Sequence, residues 1–303
     1  MSVDTDPLPQ AVTPSSSGFG SAPVFDARCG TIVWVGVDGQ TVNEVDAASA
    51  SPTDRPARAG LRQWEIPLSA SAIGVFPRRR ADGYALVTRG GFGYVSQGEV
   101  FLTEVLPVSE GRLAVAQVDP RGRLWAVSEG GVGGADGTGS GSGSAGGPGS
   151  GRLRRWDGTE GSIGASRGFV RPTGLGWSPD GSTMYLLDAG TRSLYAARFL
   201  MDEGVVGEFA LAAALDLPGD PAGLAVDADG FLWFGVRSAG QVRRIDPSGS
   251  LIGTVDIDAS SPSGLAFDAT GGLYVTADVA VTAAAVHRIE ASVPGVRVAP
   301  FAA

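Results

Sequence analysis

The stretch Pro221-Ala222-Gly223-Leu224-Ala225-Val226-Asp227-Ala228-Asp229-Gly230-Phe231-Leu232-Trp233 reads as two short strands joined by a tight turn. Apolar runs flank an Asp-x-x-Gly phrase, and glycine supplies the positive φ that other residues resist. The phrase returns in Pro172–Gly181 ahead of Met184-Tyr185-Leu186-Leu187, and in Pro262–Asp268 ahead of Gly272-Leu273-Tyr274-Val275. It returns again in Val118-Asp119-Pro120-Arg121-Gly122-Arg123-Leu124-Trp125. Two looser copies precede these, Val24–Gly30 before Ile32-Val33-Trp34-Val35, and Gly74–Gly83 before Ala85-Leu86-Val87.

The turn glycines are Gly30, Gly83, Gly122, Gly181, Gly230 and Gly272. They recur about every 40–60 residues, the period of a four-stranded propeller blade. Further strands follow the pairs, as in Gln241–Asp246 and Ser193–Ala197, alternating apolar and polar as half-buried strands do. One such blade cannot bury both faces, whereas a closed ring of them buries both and protects its edges. The expected fold is all-β, a six-bladed β-propeller of four-stranded blades. Trp34, Trp125, Trp177 and Trp233 recur at equivalent places and are expected in the core between blades.

Composition agrees. The chain of 303 residues holds 47 glycines and 19 prolines, which implies many turns, and 43% hydrophobic residues suffice for a core. Its basic residues are all arginine, so a phosphate loop with its lysine and a Schiff-base lysine are both excluded. A net charge of −9 argues against a nucleic-acid partner. No apolar run is long enough for a membrane helix, and the N-terminus lacks the pattern of a signal peptide. The expectation is a cytoplasmic protein, monomeric, whose partner is a small molecule. Residues 1–18 read as disordered, and 19–303 as one propeller carrying a flexible Gly/Ser insertion at 130–151.

Several phrases carry a family resemblance: GLGWSPDGSTMYLLD (174–188), PAGLAVDADGFLWFGV (221–236), RLAVAQVDPRGRLW (112–125) and SAPVFDARCGTIVWV (21–35). In these the chain resembles the SMP-30/gluconolactonase/luciferin-regenerating family from about residue 20 onward. The resemblance implies a divalent metal in a central channel, held by a Glu, two Asn and an Asp at the starts of innermost strands. It also implies that metal-bound water attacks a lactone carbonyl. Carried across residue by residue, the family's Glu falls on Ser21 of Gly20-Ser21-Ala22-Pro23, and one Asn falls on Ala114 of Arg112-Leu113-Ala114-Val115. The Asn of Pro-Asn-Gly falls on Thr173 and the Asp of Pro-Asp-Gly on Ala222. The matching places in the remaining blades are Ala72 and Ser263. Hydroxyls and methyl groups cannot offset the desolvation of a divalent cation. No metal and no cofactor is expected.

Three functions stay open: a metal-independent enzyme on a small organic substrate (cyclisation, rearrangement, elimination or lactone chemistry, as in secondary metabolism), a non-catalytic small-molecule binder, or a protein scaffold. A metal-dependent lactonase returns if the ligand alignment is wrong. The ring of Ser21, Ala114, Thr173, Ala222 and Ser263 is expected to bind substrate, with Arg89 and Arg237 at the mouth. Arg112, Glu129, Asp188 and Asp278 are the candidate catalytic residues, because a carboxylate there can act as a base and an arginine can stabilise an oxyanion. Arg112 matches an arginine that the family uses near its substrate. Asp188 also fits a turn-capping role. His287 reads as structural, and Cys29 as a buried thiol with no activating histidine.

Overall fold

The structure, a computed structural model, describes residues 11–14, 20–36, 40–47, 62–65, 71–79, 82–96, 99–106, 112–129, 151–157, 161–163, 168–259, 261–280, 283–291 and 293–302. Within them, strands run from β1 (Ala11–Pro14) to β25 (Ala283–Glu290) and no helix appears. The first sheet is β2 (Gly20–Asp26), β3 (Thr31–Gly36), β4 (Thr41–Asp46) and β5 (Arg62–Glu65). The second is β6 (Ala72–Pro77), β7 (Tyr84–Thr88), β8 (Gly91–Ser96) and β9 (Glu99–Val105). The third is β10 (Leu113–Val118), β11 (Leu124–Ser128), β12 (Leu153–Trp156) and β13 (Gly161–Ile163). The fourth takes β14 (Pro172–Trp177), β15 (Thr183–Asp188) and β16 (Ser193–Leu200), with β17 (Val205–Val206) and β18 (Ala210–Ala214) both paired to β16. The fifth is β19 (Pro221–Val226), β20 (Leu232–Val236), β21 (Gln241–Ile245) and β22 (Leu251–Asp256).

The last sheet is β23 (Ser261–Phe267), β24 (Gly272–Ala280), β25 and then β1. Residues 11–14, placed by the sequence in a disordered lead, are therefore a strand against β25, which ties the chain's start to its last sheet. That correction has a simple cause: an edge strand needs only backbone pairing from its partner, which a short Ala-Val-Thr-Pro run supplies without a strong sequence signal. The rest of the expected lead and residues 130–150 of the Gly/Ser tract lie outside the described residues; Gly151 bridges to Phe169.

All pairings within these sheets are antiparallel. The first strands meet in sequence, β2 with β6, β6 with β10, β10 with β14, β14 with β19, β19 with β23, and β23 back to β2. Between the sheets lie successive apolar clusters, one built on Trp156 and Phe301, another on Trp125 and Phe199. Trp34, Trp125, Trp177 and Trp233 are all buried, as expected.

The repeated aspartate explains the turn. Asp227 is fully buried, and its carboxylate accepts from the amides of Asp229 (3.1 Å) and Phe231 (2.9 Å), from Trp233 Nε1 (2.9 Å) and from Arg244 Nε (2.9 Å). Asp119 does the same for Arg121, Arg123 and Trp125. One side chain thus organises the turn and fastens the next two strands to it, with the negative charge matched by arginine. The turn glycines take positive φ, Gly30 at 73° and Gly230 at 86° among them, but in the last sheet the left-handed residue is Gly271 (98°), one place before the expected Gly272. Gly272 instead sits against Asp268, where a Cβ would meet Oδ2 at 2.6 Å.

A tail from Val293 to Ala302 crosses the side of the ring where these turns lie. The Val296 amide donates to Val226 O (2.8 Å), Phe301 N to Pro77 O (2.7 Å) and Ala302 N to Gly122 O (2.8 Å). Phe301 is fully buried and stacks on Trp156 at 5.0 Å, which stacks on Phe92 at 5.2 Å. The tail therefore links the fifth sheet to the second and third.

Candidate functional site

Each first strand breaks register near its start. In four sheets a single residue is squeezed out of the ladder: Ile73 between Ala72 and Gly74, Ala114 between Leu113 and Val115, Thr173 between Pro172 and Gly174, and Ser263 between Pro262 and Gly264. A bulge of this kind re-aims a side chain. In the other two sheets the break is longer. Ser21 pairs with Val35 and Ala222 with Gly235, and the ladder resumes only at Val24 and Ala225. There Ala22 (φ 47°) and Gly223 (φ 66°) take the left-handed conformation.

These residues line a cavity of about 430 Å³ at the centre of the ring. Ile73, Ala114, Thr173, Ser263, Ala22 and Gly223 all face it. Of the expected inner-ring residues, Ala72, Ala114, Thr173 and Ser263 stand in the lining, and Ser21 and Ala222 do not. Ala222 is fully buried and outside the lining, and Gly223 takes its place. Ala72 lines the cavity, but the bulged residue of its strand is Ile73. Ser21 is in the paired part of β2, and Ala22 is the lining residue.

Arg89, Arg237 and Asp278, from the ends of second strands, join the lining. The other expected catalytic residues do not. Asp188 is buried, and its carboxylate accepts backbone amides from Val170 (2.8 Å), Arg171 (3.0 Å), Gly190 (2.8 Å) and Thr191 (3.4 Å). It is a loop cap with its acceptor capacity engaged. Glu129 is outside the lining, in a solvent-exposed ion pair with Arg89 at 3.2 Å. Arg112 is exposed and outside the lining; its carbonyl accepts the Glu129 amide at 2.9 Å. His287 is buried in β25, opposite Val275, away from the cavity. Cys29 is exposed rather than buried, because it stands within the Asp26–Gly30 turn.

Asp278 is the single carboxylate of the lining among the described residues. Burial raises its carboxyl to about 6 from an ordinary 3.8, with the Arg237 charge pulling the other way. The neutral hydroxyls are engaged: Thr173 Oγ1 donates to Pro221 O (2.9 Å) and Ser263 Oγ to Thr276 O (3.0 Å). Below the polar rim, Val24, Phe76, Leu175, Leu224 and Leu265 form an apolar floor. Under it lies a void of about 50 Å³ whose far wall is Val296, Arg297 and Val298 of the tail.

A divalent cation of the hard type wants six to eight oxygens with several carboxylates among them. The lining offers one carboxylate, hydroxyls already hydrogen-bonded, and two guanidiniums. Among the described residues no group of three His, Cys, Asp or Glu could hold a metal. The donor set does not fit the metal of the family that the sequence resembles.

Comparison with known proteins fits this geometry to a family. The chain is 24% identical to a pentonolactonase of Haloferax volcanii over 270 residues, 88% of this chain and 83% of that one. It is 36% identical to an L-arabinolactonase of Azospirillum brasilense over 102 residues, 34% of each chain. The solved structure of a calcium-binding protein, regucalcin, from Agrobacterium tumefaciens superposes with a TM-score of 0.79 at 17% identity, covering 97% of both chains. That likeness marks the fold as all-β and of the propeller type. The SMP-30/Gluconolactonase/LRE-like region matches residues 19–278, and the chain belongs to that family.

Proposed function

We propose that this protein is a six-bladed propeller enzyme that opens a small lactone or related ester in its central cavity without a metal ion, using Asp278 as the proton-transfer group. One observation carries the reading: the one carboxylate of the cavity among the described residues has been pushed to about 6, where it exchanges protons near neutral pH. The kinship with lactonases supplies the reaction class. The unfit donor set supplies the departure from metal chemistry.

In this mechanism water adds to the lactone carbonyl as Asp278 takes its proton. The guanidinium of Arg89, ion-paired to Glu129, faces the oxygen on which negative charge develops. The ring C–O bond then breaks, and Asp278 returns the proton to the departing alkoxide. The product is a hydroxy acid, and the carboxyl ends in its starting state.

A non-catalytic binder would share the cavity but not the need for Asp278. The test is hydrolysis of a panel of γ- and δ-lactones, with and without a carboxylate substituent, followed by acid release, with wild type and Asp278→Asn. Turnover in wild type that falls at least a hundredfold in the variant supports the enzyme. Equal rates in both proteins, or no turnover in either, sink it.

A further inference from the structure

The cavity's polar groups are few and unequal. The hydroxyls of Thr173 and Ser263 give their protons to backbone carbonyls, and the Gln117 side-chain oxygen accepts from the Val118 amide at 2.9 Å. Among the described residues, the side-chain donors left in the lining besides Ser71 and the Gln117 amide belong to Arg89 and Arg237. Arg89 is engaged by Glu129 at 3.2 Å. The Arg237 side chain lines the cavity without a direct ion pair or hydrogen bond to the described residues, and Asp278 of the same lining is the nearest opposite charge acting on it. On the opposite side Val24, Ile73, Phe76, Leu175, Leu224 and Leu265 bring hydrocarbon to the lining.

A polyhydroxylated sugar lactone finds few side-chain donors in this lining. Each ligand hydroxyl taken from water needs a partner, and unpaired groups are heavily penalised. A carboxylate, by contrast, matches the planar fork of a guanidinium, and a hydrocarbon body matches the floor. We propose that the cavity selects an anionic, hydrocarbon-rich substrate, a lactone or ester carrying a carboxylate, with Arg237 holding the carboxylate and the apolar floor taking the hydrocarbon. The inference rests on the same cavity being the substrate site, and it names the class of substrate that site takes.

Calorimetric binding tests it without any turnover. The probes are 4-phenylbutyrate, its uncharged amide 4-phenylbutanamide, and gluconate, which keeps the charge but replaces hydrocarbon with hydroxyls. The expected order puts 4-phenylbutyrate at least tenfold tighter than either of the others. Arg237→Gln weakens 4-phenylbutyrate at least tenfold, Arg237→Lys recovers part of that loss, and neither changes the melting temperature by more than a few degrees, since the side chain is exposed. Gluconate or the amide binding as tightly as 4-phenylbutyrate overturns the inference. So does indifference to Arg237→Gln, or no binding of 4-phenylbutyrate at millimolar concentration. Hydrolysis is scored separately: the expected binding pattern with no lactone turnover leaves this inference standing and removes the catalytic one. Turnover of neutral lactones that ignores Arg237→Gln does the reverse.

Discussion

Replacing Asp278 by Asn is expected to stabilise the protein while removing its activity. Burial holds the carboxyl at about 6 against an ordinary 3.8, so the folded state binds a proton more tightly than the unfolded chain. A raised acid costs stability once pH exceeds the unfolded value, and the cost is complete above the folded value. The shift corresponds to about 3 kcal/mol at face value; because Asp278 is half-exposed at the cavity mouth, solvent screening reduces this to about 1–2 kcal/mol. Asparagine has no charge to desolvate, so Asp278→Asn should raise the melting temperature at pH 7.5 by about 2–6 °C. Between about pH 6 and 4 the wild-type carboxyl protonates in the fold and the advantage shrinks toward nothing. Scanning calorimetry at pH 7.5, 6 and 5, paired with lactone hydrolysis, reads both consequences. An Asn variant that is less stable at pH 7.5, or a stability gap that stays flat from 7.5 to 5, would show that Asp278 carries no such desolvation cost. Such a gain in stability on losing a working group is expected where a site holds a charge in poor solvation.

Other substitutions separate structure from chemistry. Asp188→Ala removes the acceptor of four loop amides and should cost about 3 kcal/mol of stability, seen in urea melts, with kcat per folded molecule little changed. Gly223→Ala places a methyl 2.8 Å from Gly264 Cα and 2.9 Å from Leu265 Cδ1 at a φ of 66°, and should destabilise by about 1–3 kcal/mol in the same melts and weaken ligand binding. Phe301→Ala empties a fully buried stacking site under Trp156 and should lower stability by about 3–4 kcal/mol, while loosening the tail shows as faster amide exchange at Val296.

Much of the architecture was legible because one local device repeats. An aspartate that accepts two turn amides and a tryptophan N–H leaves a fixed phrase, Asp-x-x-Gly followed by an apolar-aromatic strand, wherever it occurs. The strand β1 and the tail around Phe301 left no such mark, because backbone pairing and one buried ring are enough to hold them. At the site, sequence alignment placed Ala114, Thr173 and Ser263 in the lining, where the bulge is one residue long. It missed by one place at Ser21 and Ala222, where the break spans two residues and a left-handed Ala22 or Gly223 turns into the cavity. Glycine at 223 was a readable hint of positive φ; alanine at 22 was not. The roles of Asp188 and Asp278 could not be separated from sequence, since both end a second strand. Neighbouring amides decide one, and burial beside Arg237 decides the other.

In the proposed mechanism the chemistry runs on Asp278 and not on a metal. The direct measurement is the pH dependence of kcat/KM for lactone hydrolysis by protein stripped with EDTA and assayed in metal-free buffer. Full activity is expected after stripping, with a rate that rises with pH through about 6 as Asp278 loses its proton, and with that rise lost in Asp278→Asn. Activity that disappears with EDTA and returns with added calcium would contradict that mechanism.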